Sequence, residues 1–193
     1  MSNWKKKQSV MRRYNLTANM YNSRYCGEQE AKYVVAFETL NPYSLSSSLI
    51  LDLGCGTGLL FSHIPQGQRQ IIGVDISREL LLLAKHQDTN DASIHVVLAD
   101  ADHLPFRPNL FSCVFAFTVL QNVPSPLETL KEIKKYTKND ANFVFTGLKA
   151  VFKLEKFVSF LEAAGYDIAS IRGSEALKCH VLTCVQKAID GKN

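Results

Sequence analysis

Leu51-Asp52-Leu53-Gly54-Cys55-Gly56-Thr57-Gly58 is the stretch that decides the fold of this 193-residue chain. The preceding run from Ser48 to Leu53 is short and apolar, as a central parallel strand requires, and it leads directly into three glycines at alternate positions. Glycines 54, 56 and 58 let the backbone turn tightly and leave no Cβ between it and a ligand, so the loop reads as the cradle of a nucleotide-like cofactor. Thr57 to Phe61 is expected to open the next helix. The spacing is Gly-x-Gly-x-Gly, not the Gly-x-Gly-x-x-Gly of dinucleotide sites, and Asp52 adds negative charge where a pyrophosphate would lie. Both features argue against NAD.

Two further strand ends carry acids. Ile71-Ile72-Gly73-Val74-Asp75-Ile76-Ser77 is a second buried strand, and Asp75 follows Gly58 by 17 residues, close to the interval of a ribose-binding carboxylate. Its two oxygens can accept from both ribose hydroxyls, although an Asp at this place could also cap the following helix. Val96-Val97-Leu98-Ala99-Asp100-Ala101-Asp102-His103-Leu104-Pro105-Phe106 is the third segment.

With these three segments the chain resembles the class I S-adenosylmethionine-dependent methyltransferases. The resemblance spans roughly residues 45–187 and is nearest to the ubiquinone/menaquinone-biosynthesis branch, whose pattern Thr118-Val119-Leu120-Gln121-Asn122-Val123-Pro124 follows. It implies S-adenosylmethionine as cofactor, with Asp100 accepting from the adenine amino group and the Ala101 amide facing a ring nitrogen. The implied cofactor-binding set is Asp52, Gly54, Cys55, Gly56, Gly58, Asp75, Ile76, Asp100, Ala101 and Phe117. Ala99 stands where the family usually has Gly, and Ser112 where relatives often have Asp. His103 is expected on the surface. Tyr21-Asn22 is similar to a step in relatives whose Tyr lies over the methionine part of the cofactor. Tyr21, Tyr25, Gln121 and Asn122 are the side chains expected nearest the acceptor, and no residue identifies itself as a catalytic base. An Asn/Asp-Pro-Pro-aromatic motif after the fourth strand, expected of purine or amide N-methyltransferases, is missing; Asn41-Pro42-Tyr43 precedes the glycine loop and reads as a turn.

Strand and helix patterns alternate along the chain as in a doubly wound, Rossmann-like α/β sheet of seven strands, mostly parallel, with an antiparallel C-terminal hairpin strand. Expected strands are 94–98, 113–117, 142–147, 166–172 and 178–186; expected helices are 28–40, 78–86 capped by Ser77, 124–137 and 154–164 closed by Gly165. Residues 14–193 read as one domain, with 14–44 a helical cover and 45–187 the core. The cover matters because only about six residues, Leu148 to Lys153, separate the fifth strand from its helix, too few for a substrate-covering insertion.

Charge is concentrated at the start. Residues 1–13 hold Lys5, Lys6, Lys7, Arg12 and Arg13 without an acid, against a total of +4 for the whole chain. That segment reads as a flexible basic tail, indifferent to cofactor binding and available to RNA. Five cysteines without a Cys-x-x-Cys pair read as reduced core residues of a cytoplasmic protein, and no metal-ligand spacing is present. Mean hydropathy of −0.05 and no run of about 18 apolar residues exclude a membrane-spanning helix. The sequence thus implies transfer of a methyl group to an acceptor it does not specify. Alternatives are methylation of tRNA or rRNA, and a non-catalytic cofactor-binding scaffold or partner subunit.

Overall fold

The computed structural model describes residues 3–40, 45, 48–65, 67, 69–87, 93–173 and 175–187. Among these residues seven strands form one sheet: β1 (Leu49–Leu53), β2 (Gln70–Asp75), β3 (Ile94–Leu98), β4 (Phe111–Ala116), β5 (Thr137–Leu148), β6 (Tyr166–Arg172) and β7 (Cys179–Gln186). Their order is β3-β2-β1-β4-β5-β7-β6, with β7 antiparallel to both neighbours. Five α-helices accompany them: α1 (Asn3–Thr17), α2 (Tyr21–Phe37), α3 (Arg78–Gln87), α4 (Pro126–Lys134) and α5 (Leu154–Ala163).

The period of two in the strands distributes their side chains to two cores. In β1, Leu51 and Leu53 join Leu130, Ile133, Phe157 and Leu161 of α4 and α5, whereas Ile50 joins Tyr33 and Ala36 of α2 and Leu81 and Ala84 of α3. Apolar layers on both faces are what a parallel sheet needs, and they explain why its strands are mostly apolar. The strand order reverses between β1 and β4, and the crevice outside the carboxyl ends of a doubly wound sheet opens at such a point.

Three expectations require correction. Within the segment expected as a flexible basic tail, Asn3–Thr17 is a helix that packs on α3, and Lys7 within it is only 8% exposed. Lys6, Lys7 and Arg13 meet partners far away in the chain. The helix expected from Thr57 is a set of turns followed by one 3₁₀ turn, Phe61–His63. Gly58 is left-handed at φ 79°, and Pro65 keeps Ile64 extended (φ −90°, ψ 121°), so helical residues have nowhere to propagate. Finally, α2 begins at Tyr21 and not Glu28, while β5 reaches back to Thr137 through the exposed polar residues Lys138, Asn139 and Asp140. The turn expected at Asn41-Pro42-Tyr43 lies outside the described residues.

Candidate functional site

A cavity of about 690 Å³, its open mouth included, lies at the carboxyl ends of β1, β2, β3 and β4. Gly54 and Gly56 form part of its floor, and both are left-handed, with φ 71° and 57°. A Cβ at Gly54 would stand 2.3 Å from Val119 Cγ2, whereas one at Gly56 would only touch the Tyr21 ring at 3.5 Å. Gly54 is therefore demanded by packing as well as conformation, and Gly56 by its left-handed backbone at the cavity surface.

Asp75 ends β2 and lines the cavity. Its Oδ2 accepts the Gly56 N–H at 3.0 Å and its Oδ1 the Ser77 N–H at 2.8 Å, so one carboxylate clasps the glycine loop to the start of α3. The Ile76 N–H also bonds this carboxylate, which still keeps acceptor capacity for a ligand. Burial raises the Asp75 carboxyl above its ordinary value, opposed by these N–H bonds. The helix cap is Ser77, whose Oγ accepts the Leu80 N–H at 3.3 Å. Asn15 of α1 supports the same helix end: its Oδ1 accepts from Ser77 Oγ at 2.6 Å and from the Glu79 N–H at 3.4 Å.

Asp100 and Ala101 follow β3 and also line the cavity, together with Ile76 and Phe117. Lys7 Nζ lies 2.6 Å from Asp100 Oδ2 and 2.5 Å from Asp102 Oδ2. Burial lowers the lysine's proton affinity, but the two carboxylates outweigh it and hold Lys7 above the ordinary value. Lys7, Val10 and Tyr14 make α1 a wall of the cavity; Tyr14 falls in the expected cover, whereas Lys7 and Val10 fall in the segment expected as a tail. Two more contacts hold this wall: Lys6 Nζ donates to the Val123 carbonyl at 2.9 Å, and Arg13 to Asn122 Oδ1 at 3.0 Å.

The opposite wall is the segment after β4. Thr118 is left-handed (φ 62°) although β-branched, a strained state that its surroundings enforce. Its N–H donates to Thr146 Oγ1 at 2.7 Å, its hydroxyl accepts from Lys32 Nζ at 3.0 Å, and its carbonyl accepts from Gln121 Nε2 and Asn122 Nδ2. No local signal in the Thr118-Val119-Leu120 sequence marks this turn.

The other expected site residues divide. Tyr21 and Asn122 line the cavity, the latter donating to Tyr14 Oη at 3.1 Å. Tyr25 does not: it is 45% exposed and packs on the outer side of Tyr21, ring centroids 5.1 Å apart. Gln121 gives its Nε2 to the Thr118 carbonyl and is not part of the lining. Cys55 is buried beneath Gly73, whose added Cβ would meet its Sγ at 2.9 Å, and Gly58 is kept small by Phe61 at 2.6 Å. These two are packing residues. Asp52 lies behind the lining; burial, with the Asp75 charge nearby, pushes its carboxyl up to about 8. His103 is exposed, and the five cysteines are unpaired.

Residues 51–145 match the methyltransferase domain family, the segment that carries all three strand-end motifs. In that segment the chain is similar to the S-adenosylmethionine-dependent methyltransferases. Ubiquinone biosynthesis O-methyltransferase of Aliivibrio fischeri is 26% identical over 158 residues, which are 76% of this chain and 68% of that protein. The chain spans between 41% and 68% of the length of such curated relatives. Among solved structures, magnesium protoporphyrin IX methyltransferase from Synechocystis PCC 6803 with bound SAM superposes with a TM-score of 0.79 at 18% identity, covering 94% of this chain and 97% of that one. The [4+2]-cyclase SpnF superposes at 0.80 with 16% identity, covering 95% and 97%, so the same fold also serves a different reaction. The family's cofactor is S-adenosylmethionine, and the cavity fits it. Two carboxylates at neighbouring strand ends, Asp75 and Asp100, can accept from vicinal hydroxyls and an amine, beside a glycine floor and the Phe117 ring.

Proposed function

We propose that this protein transfers the methyl group of S-adenosylmethionine to an acceptor that enters between α1, α2 and the segment after β4. The observation that carries the reading is Asp75, a half-buried carboxylate clasping the glycine loop at the cavity surface. In this reading Asp75 accepts from the ribose hydroxyls, Asp100 from the adenine amino group, and the Ala101 amide faces the ring. Ile76 and Phe117 flank the base, and Gly54 and Gly56 let the backbone approach.

When bound, the cofactor supplies an electrophilic sulfonium methyl. The residues of the chain then have to bring a nucleophile into line and exclude water, worth roughly 7–11 kcal/mol of favourable positioning. Tyr14, Tyr21, Thr118 and Asn122 are the polar side chains available for orienting it. None needs to act as a base unless the acceptor is protonated at neutral pH. A small acceptor is favoured over RNA because three of the five cations in residues 1–13 are engaged internally: Lys6 with Val123, Lys7 with Asp100 and Asp102, Arg13 with Asn122.

Calorimetry with S-adenosylmethionine, its demethylated product and NAD tests the cofactor, with tight binding expected only for the first two. Asp75→Ala is expected to weaken binding by about 1.5–3 kcal/mol, roughly ten- to a hundredfold. Methyl-labelled cofactor incubated with fractionated metabolites and with RNA tests the transfer itself. Label in RNA but in no small molecule would refute the acceptor reading, and no label in any fraction would favour the scaffold.

A further inference from the structure

Lys32 of α2 is 2% exposed, and its ammonium lies behind the cavity wall. It donates to Thr118 Oγ1 at 3.0 Å and to Gln29 Oε1 at 3.3 Å, with Glu28 Oε1 at 3.9 Å as counter-charge. Gln29, itself 5% exposed, donates from Nε2 to the Tyr21 hydroxyl at 3.1 Å. These contacts have a direction. An ammonium has donors only, so Gln29 must turn its carbonyl oxygen toward Lys32 and its amide nitrogen toward Tyr21. The Tyr21 oxygen must then accept, which leaves its own O–H free to donate into the cavity that Tyr21 lines.

We propose that Lys32 and Gln29 are positioning residues that fix Tyr21 as a hydrogen-bond donor to the carboxylate at the amino-acid end of the cofactor. The choice of group follows from complementarity. At that end the ammonium can only donate and the carboxylate can only accept, so a hydroxyl presented as donor recognises the carboxylate. The Tyr21 ring stands beside Gly56, whose N–H Asp75 accepts, whereas adenine is assigned to Asp100. Through Thr118, the same ammonium also ties this donor to the opposite wall, so both sides of the cavity keep one register.

The inference rests on the cofactor reading above, and its test separates the two. Gln29→Glu keeps the contact to Lys32 but replaces the donor facing Tyr21 with an acceptor, which draws the tyrosine proton away from the cavity. Calorimetry should show S-adenosylmethionine binding weakened roughly ten- to a hundredfold, the range for a hydrogen bond to a charged group. Binding of 5′-methylthioadenosine, which lacks the amino-acid end, should stay within about twofold. Tyr21→Phe should give the same selective loss, and the double variant should be no weaker than either single one. Equal losses for both ligands, no loss for either, or additive effects in the double variant would overturn the inference while leaving the cofactor reading intact. Intact protein that binds neither ligand would overturn both. Thermal melting of each variant confirms folding, and Lys32→Met supplies a second route: with the ammonium gone Gln29 can turn over, so the same selective loss is expected.

Discussion

Replacing Lys7 with Met keeps the length and apolar stem of the side chain while removing the charge that joins α1 to the strand-end acids. The lysine side chain is 9% exposed and the two carboxylates 19%, so water can partly solvate the acids once the ammonium is gone. Breaking a fully buried pair costs about 3–5 kcal/mol, whereas hydrogen bonds to charged groups in a wetter setting contribute about 1.5–3 kcal/mol. The lower range applies here. If it falls on the docking of α1 and not on global unfolding, the undocked population should rise roughly 10- to 150-fold. Hydrogen–deuterium exchange of peptides from residues 3–17 should accelerate by that factor, while peptides from β4 and β5 stay protected. Trp4, the single tryptophan of the chain, lies on the same helix and gives an independent fluorescence signal. Arg12→Met removes the same charge from an exposed position and should leave exchange unchanged. Unaltered exchange in Lys7→Met, or equal acceleration in Arg12→Met, would refute the latch.

Two other outcomes follow from the site. Asp52 holds its proton to about pH 8 when folded but releases it near 4 when unfolded, so the folded state binds the extra proton and ligand-free stability falls as pH rises between those values. Asp52→Asn should flatten that slope and raise stability at pH 8 by up to roughly 5 kcal/mol; denaturant unfolding at pH 5 and pH 8 that shows the same difference at both would count against it. The glycines should separate: Gly54→Ala drives a Cβ into Val119 and should lower the melting temperature and stability by about 1–3 kcal/mol, whereas Gly56→Ala meets only ordinary contact and should lose cofactor affinity with a smaller loss of stability.

Much of the architecture was legible because its causes are local. The largely apolar runs at 49–53 and 71–74 need both faces covered, and the Ser77 cap and Gly165 terminator act within a turn of their own position. The carboxylates Asp75 and Asp100 were legible for a related reason: each ends a strand whose place in the sheet the pattern already indicates. What stayed hidden depends on partners distant in sequence. A run of five cations without an acid reads as solvated, but the counter-charges of Lys7 are 93 and 95 residues away. The left-handed Thr118 is held by Lys32 and Thr146, neither of which is visible in its own window. Tyr25 and Gln121 were placed at the acceptor on helical spacing and proximity alone, and their directions are set by Tyr21 and by the Thr118 carbonyl.

The division of the cavity between shared and unshared residues bears on the acceptor. The family match covers residues 51–145, and within it lie the glycine floor, Asp75, Asp100 and the segment from Phe117 to Val123. Lys7, Val10, Tyr14 and Tyr21 line the same cavity from outside that match. In the proposed reading the acceptor also meets α1 and the start of α2, so proteins that match in residues 51–145 need not share an acceptor. Exchanging residues 3–37 with those of a relative of known acceptor should thus move acceptor preference while leaving cofactor affinity within about tenfold, provided the incoming segment retains a donor to Asp100 in the place of Lys7 and keeps Tyr21, Gln29 and Lys32.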